Sequence, residues 1–374
     1  MTTDDDITAA VLAREEVARY LHGDNGEADA DALARVLGYL DELRTTQRYP
    51  FYKALKHPLY PIFRKIERID ENLAHVVDAT ARGHVVYVSN HKSHLDYLVE
   101  ALALLDNGIR PPVIAAGINL FGGPLGLINR HVTGAIPIRR NSKDPAYLVT
   151  LKAYVAELLA RRDLLFYPEG GRSYSGELKP SKMGLLHAAL QADRTTLLVV
   201  PMAIAYDFVL EDRTLSRQGV KRRQRPFRHE LAEMVGQAVG YESRAFVTYG
   251  APIPLTEYDP ESKRNIVRLA HRIQREIGLL YKVLPTAVVA SVMRPCSERP
   301  ALADRADTLL RSLAAKGANL AITTGRRAVD EGLEPMIEHG ILAADAQGRI
   351  RVRDRFLLRY YARTIQHLLK AETT

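Results

Sequence analysis

The chain has 374 residues, enough for one large domain with appendages. With 47% hydrophobic and 26% charged residues, it can bury a core without covalent or metal staples. Its one cysteine, Cys296, excludes an intrachain disulfide and a four-thiolate zinc site, and suits a reducing compartment.

A net charge of +8 draws anions to the surface: nucleic acid, anionic lipid headgroups, phosphorylated substrates or an acidic partner. The opening MTTDDDITAA lacks the basic and apolar regions of a secretory signal, so none is expected. Residues 1–48 read as an N-terminal helical region. Leu12, Val17 and Leu21, then Leu33, Val36, Leu37 and Leu40, recur near helical spacing around a turn at Gly23–Gly26.

The pattern changes over residues 49–295. Short β-rich runs fall at His84–Ser89, Val113–Ala116, Ala135–Ile138, Leu164–Tyr167, Leu197–Ala205 and Ala245–Tyr249. Helical stretches separate several of them, at Leu95–Leu105, Ala146–Ala160 and Lys182–Gln191. That alternation predicts an α/β domain with helices packed on a central sheet. The uncharged stretch Pro111–Asn129 is broken by glycines and prolines, which predicts a buried strand and a glycine-rich turn rather than a spanning helix. The basic run Ser216–His229 reads as an exposed loop, and Pro201 as the mark of an edge or bulge. Residues 296–374 read as mainly helical, with a hairpin turn at Ala346–Gly348 before a last helix, Arg353–Lys370.

Three strand ends carry chemistry. His91 and Asp96 stand where HVVYVS gives way to LDYLVEALALL. On one continuous helix, residues five apart point away from each other. With His91 in the loop and Asp96 in the first turn, the carboxylate can fold back and make the imidazole a general base. Ser93 and Asp96 also fit a capping pair, with Ser93 at the N-cap. His94 has no clustered ligands for a metal. GAIPIRR delivers Arg139 and Arg140 from a strand, and guanidinium forks bind phosphate. YPEGGRS follows a third strand: Gly170 and Gly171 permit a tight turn, and Glu169, Arg172 and Ser173 supply polar groups.

In order, spacing and placement, these segments resemble the glycerolipid acyltransferases, and among them the membrane-associated bacterial glycerol-3-phosphate acyltransferases. NHKSHLDY, GAIPIRR, EGGRS and VVPMAIAY are similar to that family's four motifs, and the likeness runs from about Tyr49 to Tyr258. One departure stands out. Tyr174, Ser175, Gly176 and Glu177 replace the usual Arg-Thr followed by glycine and a basic residue, which leaves Lys179 or Lys182 to supply the missing charge.

The resemblance implies a central mixed sheet flanked by helices, in an enzyme that moves a fatty acyl group from a thioester to the sn-1 hydroxyl of glycerol 3-phosphate. It makes His91 the base and Asp96 its orienter. Arg139, Arg140, Arg172 and Ser173 hold the phosphate, Glu169, Gly170 and Gly171 shape the acceptor loop, and Pro201 helps form the acyl-side wall. It calls for no metal or bound cofactor, acyl-CoA or acyl carrier protein being a co-substrate. It also implies a peripheral enzyme on an anionic membrane surface, at the cytoplasmic face. Dihydroxyacetone phosphate and lysophosphatidate are alternative acceptors. A basic nucleic-acid-binding protein would leave four ordered motifs unexplained, so no nucleic-acid partner is expected.

Overall fold

The computed structural model describes residues 4–23, 29–54, 66–221 and 242–370. Its centre is an eight-stranded mixed sheet. The strands are β1 (Ile66–Glu71), β2 (His84–Ser89), β3 (Val113–Gly117), β4 (Ile136–Ile138), β5 (Leu164–Phe166), β6 (Leu197–Tyr206), β7 (Ser243–Tyr249) and β8 (Ile253–Pro254). They lie in the order β1-β7-β6-β2-β5-β3-β4, with β8 on β6 beside β7. From β6 across to β4 every pairing is parallel. The apolar runs of β2, β5 and β6 are unbroken because both faces of a parallel sheet are covered.

The pleat divides the core. Val86, Val88, Leu164 and Phe166 face one apolar layer, with the helices Pro145–Leu159 and Lys263–Leu280. Val85, Tyr87, Leu165 and Val200 face the other, with the helix Asp96–Asp106. The helix Pro145–Leu159 is apolar on nearly every side because N-terminal helices cover its outer face, chiefly Ala30–Leu43.

Several expectations are corrected. β1, with the sequence IERIDE, pairs in parallel with β7 at the edge of the sheet; its charged residues hide it from a search for apolar runs. Pro201 is not at an edge but in the middle of β6, paired with β2 at Val88, and on its other side the register slips by one residue, from Val199 opposite Ile253 to Met202 opposite Tyr249, as at a bulge. Its carbonyl accepts from Gly250 N at 2.7 Å, so its ring nitrogen faces the same side. There β6 changes partner from β8 at Val199 to β7 at Met202, and a missing N–H leaves no ladder bond unmade. The start of the basic run is the end of a helix, Asp212–Lys221, not a loop; residues 222–229 lie outside the described residues.

Residues 296–370 add helices and a three-stranded antiparallel sheet of β9 (Cys296–Ser297), β10 (Leu342–Ala344) and β11 (Ile350–Val352). The hairpin turn joins β10 to β11, with Gly348 at φ 74°. The last helix is two pieces, Arg355–Arg363 and Gln366–Leu369. Asp354 caps the first piece, and the Thr364 hydroxyl donates to the Tyr361 carbonyl at its end. Among the described residues no helix is long and apolar enough to cross a membrane.

Candidate active site

The parallel strands β2, β5, β3 and β4 end along one edge of the sheet, the edge at which α/β sheets bind ligands. Each delivers a loop there. After β2 the chain turns through Asn90, whose side chain pairs with both backbone groups of Ile204 on β6. His91 follows. Its backbone is clamped by the loop after β5: His91 N donates to Glu169 Oε1 at 3.0 Å, and Ser173 N donates to the His91 carbonyl at 2.9 Å.

His91 Nδ1 lies 2.8 Å from Asp96 Oδ2. Since a carboxylate only accepts, Nδ1 carries the proton and Nε2 keeps its lone pair. The same Oδ2 accepts from Lys92 N at 2.6 Å and Ser93 N at 2.9 Å, and Oδ1 accepts from the Tyr206 hydroxyl at 2.8 Å. Asp96 is fully buried, and four donors converge on its two oxygens. Burial pushes the His91 imidazole down to about 4, with Asp96 opposing and His94 and Arg172 adding to the fall. At neutral pH the ring is therefore an unprotonated base. The capping pair is present as well: the Ser93 hydroxyl oxygen accepts from Leu95 N at 3.1 Å while Ser93 N donates to Asp96 Oδ2, and the same hydroxyl donates to Glu211 Oε2 at 2.8 Å.

Beside His91 opens a cleft of about 260 Å³. Its lining combines polar groups, Arg140, Lys182 and the Gly170–Gly171 turn, with the apolar side chains of Ile114, Leu120, Ile138, Leu148, Leu151 and Phe166. Arg140 makes no hydrogen bond among the described residues, and burial lowers its pKa from the ordinary arginine value. Its guanidinium crosses Gly117, where a Cβ would come within 2.9 Å of Nη2, and reaches towards Gly171. Gly170 has φ 68°, and a side chain there would strike Lys182.

The other expected phosphate ligands are occupied elsewhere. Arg139 also borders the cleft, but its guanidinium is taken by a two-pronged pair with Glu42, its Nε 2.7 Å from Oε1, and lies over the rings of Tyr39 and Tyr147. Both arginines lie past the end of β4, with Arg140 already in the turn that follows, so the chain's change of direction separates their side chains. Arg172 is buried and meets Glu211 at 3.3 Å, and the Ser173 hydroxyl donates to the Glu177 carbonyl at 2.6 Å. Lys179 pins the loop through the Gly171 and Arg172 carbonyls, whereas Lys182 sits in the cleft wall with its ammonium 3.3 Å from Asn141 Oδ1. Of the two lysines it is Lys182 that faces a ligand. Pro201 does not line the cleft.

Glu211 was not legible in advance. Its carboxylate takes the Ser93 hydroxyl, His94 N at 2.7 Å and Arg172, holding the histidine loop and the loop after β5 to one point. Gly117 and Tyr206 were missed as well, since their work is visible only once β3 and β6 are placed. Lys92 is equally hidden: it is 1% exposed, its Nζ donates to the Gly176 carbonyl at 2.6 Å, and burial lowers its pKa to about 8.

Residues 65–205 match the acyltransferase family model. A glycerol-3-phosphate acyltransferase of Aeromonas hydrophila subsp. hydrophila is 36% identical over 61% of this chain and 29% of its own length. One from Pseudomonas entomophila is 28% identical over 96% of this chain and 48% of its own. The chain thus spans at most about half the length of these relatives. The crystal structure of the 1-acyl-sn-glycerophosphate (LPA) acyltransferase from Thermotoga maritima overlays 72% of this chain and 93% of that one, at 15% identity and a TM-score of 0.36. The chain thus carries a segment similar to the acyltransferase family over residues 65–205, and its sequence is similar to proteins named glycerol-3-phosphate acyltransferase.

Proposed function

We propose that the chain transfers a fatty acyl group from a thioester to the sn-1 hydroxyl of glycerol 3-phosphate, giving lysophosphatidic acid. One observation carries the reading: an unprotonated His91, backed by Asp96, borders a cleft lined both by the Arg140 guanidinium, which makes no hydrogen bond among the described residues, and by a set of apolar side chains. Arg140 and Lys182 take the phosphate dianion, which sets the acceptor hydroxyl against Nε2. His91 accepts the hydroxyl proton as the oxygen attacks the thioester carbonyl, and Asp96 stabilises the imidazolium. The tetrahedral intermediate collapses, the C–S bond breaks, and the imidazolium returns the proton to the departing thiolate. The acyl chain lies along Ile114, Leu120, Ile138, Leu151 and Phe166, where apolar surface leaves water. Every bond is made directly, without an acyl-enzyme, and the steps as written call for no metal or bound cofactor.

The donor is acyl-CoA or acyl carrier protein. A peripheral site on an anionic membrane at its cytoplasmic face fits the same product. Ile118, Leu127 and Ile128 are exposed in the segment that borders the cleft, Leu127 to 63%, and Arg130 and His131 follow in the same helix.

The test is acylation of radiolabelled glycerol 3-phosphate with both donors, against dihydroxyacetone phosphate and lysophosphatidate as acceptors. Product from glycerol 3-phosphate, lost in a folded His91→Ala variant, is the expected result. Full turnover in that variant would remove the proposed base.

A further inference from the structure

One buried carboxyl near His91 has no part in the chemistry above. Glu100 lies one turn beyond Asp96 on the helix Asp96–Asp106 and is wholly buried. The Ser89 hydroxyl contacts its Oε1, and the Tyr167 phenol donates to its Oε2 at 2.6 Å. Tyr167 lies flat on the imidazole of His91, with ring centroids 4.2 Å apart and planes 13° from parallel. Contact therefore runs unbroken from Glu100 through Tyr167 to His91.

The hydrogen bond to Asp96 fixes one edge of the imidazole but leaves the ring free to tilt about the Nδ1···Oδ2 line. A ring stacked on its face removes that freedom, and a tethered ring removes it better than a loose one. We infer that Glu100 and Tyr167 are a positioning pair for His91, with Glu100 holding the phenol so that the aromatic face orients the imidazole and keeps water from it. The inference rests on His91 being the base proposed above.

The charges around the pair suit this role. His91 faces Asp96, His94 and Arg172 as well as Tyr167, and its backbone N–H is held by Glu169. Glu100 faces Asp96, Ser89 and Tyr167. Two buried carboxyls one turn apart do not both stay charged. Asp96 has four donors; Glu100 has two hydroxyls, and burial together with Asp96 pushes its pKa well above the carboxylate range. Burial and the neighbouring Asp96 thus both disfavour a charge on Glu100.

The test titrates His91 directly, by NMR of protein labelled with 13C at histidine, with the His91 resonance identified by its loss in His91→Gln. The acid limb of kcat/KM for acylation is recorded in parallel. In Tyr167→Leu the imidazole gains water, and its pKa is expected to rise by about one unit or more, the acid limb moving with it. KM for glycerol 3-phosphate is expected to change by less than about threefold. Tyr167→Phe keeps the ring but cuts the tether, and a smaller rise is expected. Glu100→Gln keeps an acceptor of the same size and is expected to leave the His91 titration in place. A titration unmoved in both Tyr167 variants overturns the inference. So does one displaced by Glu100→Gln as far as by Tyr167→Leu. The NMR titration needs no turnover, so an inactive chain whose His91 pKa shifts as stated sinks the proposed reaction and leaves the pair standing.

Discussion

The Glu211 carboxylate meets the Arg172 guanidinium at 3.3 Å beneath the histidine loop, and both side chains are almost fully buried. The same carboxylate takes Ser93 and His94 N, so a residue without chemistry of its own ties two chemical loops together. Glu211→Ala takes the carboxylate away from a buried arginine and the acceptor from two further donors. A loss on the order of 3–5 kcal/mol is expected in urea unfolding, with Glu211→Gln milder.

Adjacent arginines are expected to behave differently. Arg140 is free at the cleft, whereas Arg139 is paired with Glu42 and about 42% exposed. In steady-state kinetics Arg140→Ala raises KM for the phosphorylated acceptor by roughly 10–100-fold, the worth of one charge-assisted contact. Arg139→Ala leaves that KM within about twofold and costs at most about 1 kcal/mol of stability.

Gly117→Ala tests the same guanidinium from below. The new methyl would come within 2.6 Å of Asn119 Oδ1 and 2.9 Å of Arg140 Nη2, and both side chains have to give way. Acceptor KM is expected to rise by about tenfold, with stability changed by less than about 1 kcal/mol. An acceptor KM equal to that of the parent chain would show that Arg140 does not need its present place.

Acid should weaken the fold through two histidines. Burial pushes both His91 and His367 down to about 4, below the ordinary 6.5 that each regains on unfolding. Between those values the unfolded chain binds more protons, so stability is full above about pH 6.5 and falls as pH drops towards 4. Replacing either histidine with a neutral residue flattens that slope. Urea midpoints measured from pH 7 to pH 4.5 read it directly.

Much of the fold was legible because β2, β5 and β6 are apolar without interruption and are punctuated by loops that carry the motifs. The His91–Asp96 pairing was readable for the same reason, since the end of a strand and the start of a helix place a loop residue against a first-turn carboxylate. β1 was not readable, because an edge strand of charged residues lacks the apolar run that marks its neighbours. Arg139 and Ser173 show a different limit. Residue type announces an anion ligand, but whether the side chain is already taken depends on partners elsewhere: Glu42 lies 97 residues from Arg139. Glu211 was invisible for that reason too, as nothing near it in the chain signals three distant donors.

The links through Glu211 reach 39 residues to Arg172 and 118 to Ser93. Such spans leave the histidine without its surroundings until β2, β5 and β6 have all come together. A chain that has formed only part of its sheet would hold neither loop in place. Catalytic competence and global order should therefore appear and vanish as one event, with no active fragment and no functional half-folded form along the way.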